Sequence, residues 1–281
     1  MLEFLAPCFA ASLILTGIHS YLGVHVVERG VIFVDLSLAQ IAAFGATIAL
    51  LLPVSGGDAH APVVYWISLA FTFLGAFVFS TIRSTRARIP QEAIIGICYA
   101  VASAASILAM SKATSESEHL KDMLVGNILA VSWAEVGKTA VLYAAIGVFH
   151  YVFRRQFLAI SMDHRHEGLA AAQGLSVRFW DFLFYASFGF VVTSSVSIAG
   201  VLLVFCYLIV PSVAAMLYAD SIGKRLAIGW TMGTVVSALG VYLSLKLDLP
   251  TGATIVCTFG LVLIIMAGVR PLIQRERHAV S

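Results

Sequence analysis

Few side chains in this sequence can do chemistry in an apolar environment, and their spacing narrows what that chemistry is. His19 and His25 fall in the first long run free of Asp, Glu, Lys and Arg, Asp35 lies at the edge of the second, and Glu92 opens the fourth. An ionisable group at the centre of a spanning helix costs about 2.5–3.5 kcal/mol on insertion scales, so each is a candidate for ion handling. Imidazole is a common transition-metal ligand and His19 is the deepest of these groups; the competing role for it is a structural hydrogen bond. His25 is close enough to a boundary to be solvated. Asp35 follows Arg29 by six residues, about 9 Å along a helix, so the two could pair with each other instead of Asp35 facing a pathway.

Other strings lose their chemistry on inspection. Gly137-Lys138-Thr139 has the tail of a phosphate-binding loop, but Ser132 stands where the first glycine is required and no strand precedes it. His164-Arg165-His166-Glu167 places two histidines two residues apart, whereas a helical zinc hydrolase needs them four apart. Cys8, Cys98, Cys206 and Cys257 all lie in apolar runs without a C-x-x-C pair, which predicts buried thiols and neither disulfides nor zinc. Gly229, Gly233 and Ser237 form a small-x-x-x-small ladder suited to close helix packing. Pro211, inside an apolar run, marks either a kink or a broken helix lining a pathway.

The elements that must position these residues follow from hydropathy. Of 281 residues 60% are hydrophobic and 11% charged, against about 25% charged in soluble domains. That excludes a water-soluble globule and a disordered chain, and the net charge of +2 gives no reason to expect a nucleic-acid partner. Uncharged runs long enough to span, or nearly so, occupy 4–27, 36–57, 61–82, 93–111, 139–153, 182–219, 226–245 and 249–269. The run 182–219 would be about 57 Å as one helix, too long for a bilayer, so it holds two spans broken around Thr193–Gly200. The reading is an all-α, polytopic membrane helix bundle of about nine transmembrane helices (eight to ten), a single domain over 1–281.

With nine spans, thirteen Lys and Arg residues fall on the C-terminal side of the membrane and four on the other, which makes the C-terminus cytoplasmic. The start, Met1-Leu2-Glu3-Phe4, lacks the basic n-region of a cleavable signal. The longest polar connections, 111–133 and 154–181, are too short to bury a core of their own. Function is therefore exercised within the bilayer or through partners.

Several segments carry a resemblance. Val196-Ser-Ile-Ala-Gly-Val-Leu-Leu-Val-Phe-Cys-Tyr-Leu-Ile-Val-Pro-Ser-Val-Ala-Ala-Met-Leu217 and Leu249-Pro-Thr-Gly-Ala-Thr-Ile-Val256 resemble permease subunits of bacterial ABC importers for zinc, manganese and iron. Gln91-Glu-Ala-Ile-Ile-Gly-Ile97 and Leu124-Val-Gly-Asn-Ile-Leu-Ala-Val-Ser132 resemble further segments of that family, in order, from about Gly17 to Val269. The resemblance implies an ABC importer permease fold, a homodimer, separate ATPase subunits that use ATP, and an extracytoplasmic substrate-binding protein in a bacterial cytoplasmic (inner) membrane. No cofactor and no catalysis are then expected of this chain. It also implies that Asp163–Gly174, within the cytoplasmic connection 154–181, forms a coupling helix docked on the ATPase, with Asp163, Glu167, Gly168 and Gly174 as its markers; Gly174 suits a helix C-terminus.

The sequence departs from the family at the second span. Members carry R-x5-G-D-A-x-S-H-A, whose Asp and His lie four apart and line the metal path. Here Leu36 stands at the Asp position and Gln40 at the His position, while Asp35 is displaced by one residue, about 100° around the helix. The expected pathway residues are accordingly Asp35, Gln40, His19 and His25. Either the metal is held differently, the binding protein alone selects it, or the cargo is a chelated metal or not a simple metal. A stand-alone secondary transporter is the alternative from another class, and it should show internal repeats and midplane charges.

Overall fold

The computed structural model describes residues 2–55, 61–82, 89–111, 128–163, 170 and 173–280. Among these the chain is helical throughout, with no strand: α1 Leu2–Arg29, α2 Val34–Leu51, α3 Pro62–Ile82, α4 Gln91–Met110, α5 Trp133–Val152, α6 Arg154–Met162, α7 Val177–Tyr218, α8 Ile222–Leu247 and α9 Thr251–Val280. The boundaries have local causes. Gly30, at φ 68°, takes the left-handed backbone that ends α1 and starts the tight turn into α2. Ser132 and Glu135 form a reciprocal capping box at α5, with Ser132 N donating to Glu135 Oε2 at 2.8 Å. This cap starts α5 six residues before the uncharged run at Thr139 and draws Glu135 and Lys138 into the helix.

A few contacts show which helix ends meet. Phe33 N–H donates to Glu92 Oε1 (2.9 Å) and Gln91 Nε2 donates to the Phe79 carbonyl (3.0 Å), bringing together the start of α2, the end of α3 and the start of α4. At the same end of the bundle Arg29 pairs with Asp181 near the start of α7, and Glu28 pairs with Arg225 near the start of α8. Arg225 Nε also donates to the carbonyl of Ala219, just past the end of α7 (2.9 Å). Both ends of α7 therefore lie at the Arg29 end, and the chain must reverse between them. It does so at Gly200, whose φ of 76° and ψ of 161° are open essentially only to glycine.

The expected break around Thr193–Gly200 is thus present, and each arm of about 20 residues is about 30 Å long, one bilayer core. Among the described residues seven helices are long and apolar enough to cross a membrane, and α5 with α6, bent by 75°, makes an eighth. Counting the two arms of α7 separately brings the crossings to nine. Pro211 sits buried within the second arm, where the helix continues through it.

The α7 hairpin is the centre of the bundle, packed against α1, α2, α3, α8 and α9. Phe184, Tyr185, Phe188 and Tyr207 are fully buried along it. The small-residue ladder of α8 does pack: a side chain at Gly233 would collide with Thr16 of α1, one at Gly229 would touch Ser20, and Ser237 Oγ bonds the Tyr207 hydroxyl at 3.1 Å. The outer faces are apolar, with Leu108 (70%), Val141 (73%) and Ile264 (70%) exposed. Such a surface suits lipid and not water. Of the four free cysteines Cys8 is buried, but Cys98 and Cys206 are half-buried and Cys257 is exposed, because their helices turn those faces outward.

Candidate functional site

α2 is buried almost all round, enclosed by α3, α4 and α7, and this encloses both of its polar pathway candidates. Asp35, in the first turn, is 1% exposed and neither carboxylate oxygen has a hydrogen-bond partner. Gln40 is 5% exposed, and the Ser37 hydroxyl, three residues before it and so near its face, is buried without a partner. Leu36 is only half-buried. The pairing of Asp35 with Arg29 does not occur: Arg29 turns to Asp181, a residue far along the chain that sequence spacing could not propose.

The histidines sit on α1 and α5, and a carbonyl partner fixes the tautomer of His19. His19 Nδ1 lies 2.8 Å from the Leu15 carbonyl, which can only accept, so Nδ1 carries the proton. Ser161 Oγ accepts from Arg29 Nε (3.0 Å) and also meets the Phe157 carbonyl (2.8 Å) and His25 Nδ1 (2.8 Å). Ser187 Oγ lies 2.9 Å from the Phe184 carbonyl and 2.8 Å from His150 Nε2. In all three rings the other nitrogen is buried without a partner, Nε2 of His19, Nε2 of His25 and Nδ1 of His150, and in His19 it is a lone pair. His19 does make the structural hydrogen bond expected of it, yet retains a free ligand nitrogen.

His25 and His150 flank Tyr21, with ring centroids 4.8 and 5.5 Å from it, and all three line a 460 Å³ cavity between α1, α5 and α8. Arg154 and Trp230 also line it. Among the described residues no three His, Cys, Asp or Glu side chains gather as a metal cage. What α1, α2 and α5 offer instead is a set of separate, singly placed oxygen and nitrogen atoms without partners. A conducting pathway needs contacts of that kind, weak and multiple, whereas a closed cage would trap the ion.

Of the coupling markers, Asp163 is buried and its Oδ1 accepts from Ala170 N–H at 2.9 Å, and Gly174 has φ 66°. Glu167 and Gly168 lie outside the described residues. Sequence reasoning missed His150, Ser161, Asp181 and the Glu28–Arg225 pair. His150 had a usable signal, a third histidine inside an uncharged run, whereas the others acquire meaning only once α1, α6, α7 and α8 are brought together.

The fold and this interior define a membrane-embedded transport subunit. The chain belongs to the ABC 3 transport family, whose model matches residues 1–269. It is 28% identical over 201 residues to the manganese transport system membrane protein MntC of Listeria innocua, covering 69% of this chain and 70% of that one. It is 31% identical over 169 residues to a probable iron transport system membrane protein of Haemophilus influenzae, covering 60% and 61%. The structure of PsaBC from Streptococcus pneumoniae in complex with Fab superposes with a TM-score of 0.77 at 25% identity, covering 94% of this chain and 92% of that one.

Proposed function

We propose that this chain forms the pathway of an ABC importer for a divalent transition metal: manganese or iron, the cargoes named for its relatives, or zinc. The observation that carries the reading is Asp35, an acid buried in a spanning helix with both oxygens unpartnered. An uncompensated carboxylate there is costly and is retained where an ion supplies the missing charge. Gln40 adds a neutral amide, His19 adds a lone-pair nitrogen in α1, and His25 adds a second unpartnered ring nitrogen there. Manganese and iron accept such mixed oxygen and nitrogen sets.

The chain itself performs no covalent chemistry. Two copies enclose the path, an extracytoplasmic binding protein delivers the cargo, and ATPase subunits docked at Asp163–Gly174 drive the alternation between two packings of the bundle. The Arg29 end, which also holds Arg154, Arg178 and Arg225, faces the cytoplasm of a bacterial inner membrane, and so does the C-terminus.

Growth names the cargo. A strain lacking this chain, starved with a metal chelator, should recover selectively with added manganese or iron. If restoring the chain instead improves growth on a chelated metal but not on the free ion, the free-ion reading is replaced, and growth that is indifferent to the chain with every metal would end it.

A further inference from the structure

Arg29 is the last residue of α1 and is 4% exposed. Its guanidinium reaches two elements at once. Nε donates to Ser161 Oγ of α6 at 3.0 Å, and Nη1 pairs with Asp181 near the start of α7. The plane lies over the Phe184 ring, 3.9 Å from its centroid. Ser161 stands two residues before Asp163 and Asp181 seven residues after Gly174, so these partners bracket the proposed ATPase-docking segment on its two sides. Asp163 in turn holds the backbone of Ala170, inside that segment, through its Oδ1.

Ser161 is saturated. Its Oγ meets the Phe157 carbonyl and two groups from α1, the donor Arg29 Nε and the ring nitrogen His25 Nδ1. A residue with one donor and two acceptor sites can do no more, so α6 cannot shift relative to α1 without stripping Arg29 Nε and His25 Nδ1 of their buried partner. The Asp181 ion pair sets the same condition on α7, since removing one partner of a buried pair leaves an uncompensated charge.

We infer that Arg29 is a positioning residue of transport: it ties both flanks of the docking segment to the base of α1, so that displacement of that segment moves α1 with it. The inference rests on the reading of Asp163–Gly174 as the ATPase contact. α1 is the helix that carries His19 and His25 and packs against the first and second arms of α7 and against α8. A push delivered at the cytoplasmic surface thereby reaches the pathway through a continuous set of buried hydrogen bonds. The planar fork of arginine is essential to the role, because a lysine ammonium is a point charge that cannot hold Ser161 and Asp181 in fixed directions.

The test measures ATP hydrolysis and Mn²⁺ uptake in the same proteoliposomes, with the chain assembled with its ATPase and binding protein. Arg29→Gln and Ser161→Ala should each lower Mn²⁺ transported per ATP by about tenfold, within the roughly 5–150-fold span of coupling effects. Hydrolysis rate, assembly and thermal midpoint should stay near wild type in Ser161→Ala, which keeps the ion pair, and Arg29→Lys should not restore the ratio. An unchanged ratio in both variants overturns the inference. Loss of assembly in both overturns it as well, because the role is then architectural. A Glu167→Ala/Gly168→Trp variant runs in parallel. If it lowers the ratio while Arg29→Gln and Ser161→Ala do not, only the role of Arg29 fails. If it leaves the ratio unchanged, the docking assignment fails and takes this role with it.

Discussion

Glu28 of α1 pairs with Arg225 of α8, one residue before Arg29 pairs with Asp181 of α7, so two consecutive residues of opposite charge hold α1 to two different helices. Both pairs are buried, with side-chain exposures of 7% or less. Desolvation offsets most of what such pairs gain, yet breaking one strands a charge. Their structural consequence is register: they bring both ends of the α7 hairpin to the base of α1.

Arg225→Leu should therefore destabilise the purified protein by about 3–5 kcal/mol, and adding Glu28→Leu should recover most of that loss. Thermal unfolding in detergent reads both. A double variant as unstable as the single one would show that Arg225 acts through its bond to the Ala219 carbonyl and not through the pair.

Close helix approach is the second dependency. A side chain at Gly233 meets Thr16, and a Cβ at Gly240 would lie 2.8 Å from the Ile255 backbone Cα. Gly233→Val and Gly240→Ala should each cost about 1–3 kcal/mol by overpacking. Gly147, with nothing within 4 Å of its added Cβ, should accept alanine without loss. Equal midpoints for all three would contradict the packing assigned to α8.

For the pathway, Gln40→Leu should reduce metal uptake strongly and Asp35→Asn less, with the complex still assembled. Asp35→Asn keeps a polar group where both carboxylate oxygens lack partners, so its folding cost is small or negative. Full uptake by Gln40→Leu would move the role to His19, His25 and the unpartnered ring nitrogen of His150.

Sidedness is checked by single cysteines near Glu116 and near Arg86, both outside the described residues. The account expects them to label from opposite sides of intact membranes, Glu116 from outside. Labelling from one side would break the nine-crossing count.

The membrane bundle was legible because uncharged runs of spanning length need no tertiary information, and the reversal in 182–219 was legible because one helix of that length cannot fit a bilayer. Gly229, Gly233 and Ser237 announced their packing by spacing alone. The interior was legible only in part. Asp35 and His19 could be picked as costly residues, but the assignment of Arg29 to Asp181, 152 positions away, depends on how α1 and α7 meet. The start of α5 was misplaced because a count of uncharged residues does not see a capping box that tolerates Glu135 at a helix N-terminus. The partners of His25 and His150 were beyond sequence altogether, since Ser161 and Ser187 reach them from other helices.

ATP-driven metal import, the function proposed for this chain, is tested most directly by reconstitution. Proteoliposomes holding the chain with its ATPase, supplied with the binding protein, should accumulate Mn²⁺ or Fe²⁺ only when ATP is present on the ATPase side, and omission of the ATPase should abolish it. Accumulation by the chain alone under a proton or sodium gradient would contradict the account and establish a secondary transporter in its place.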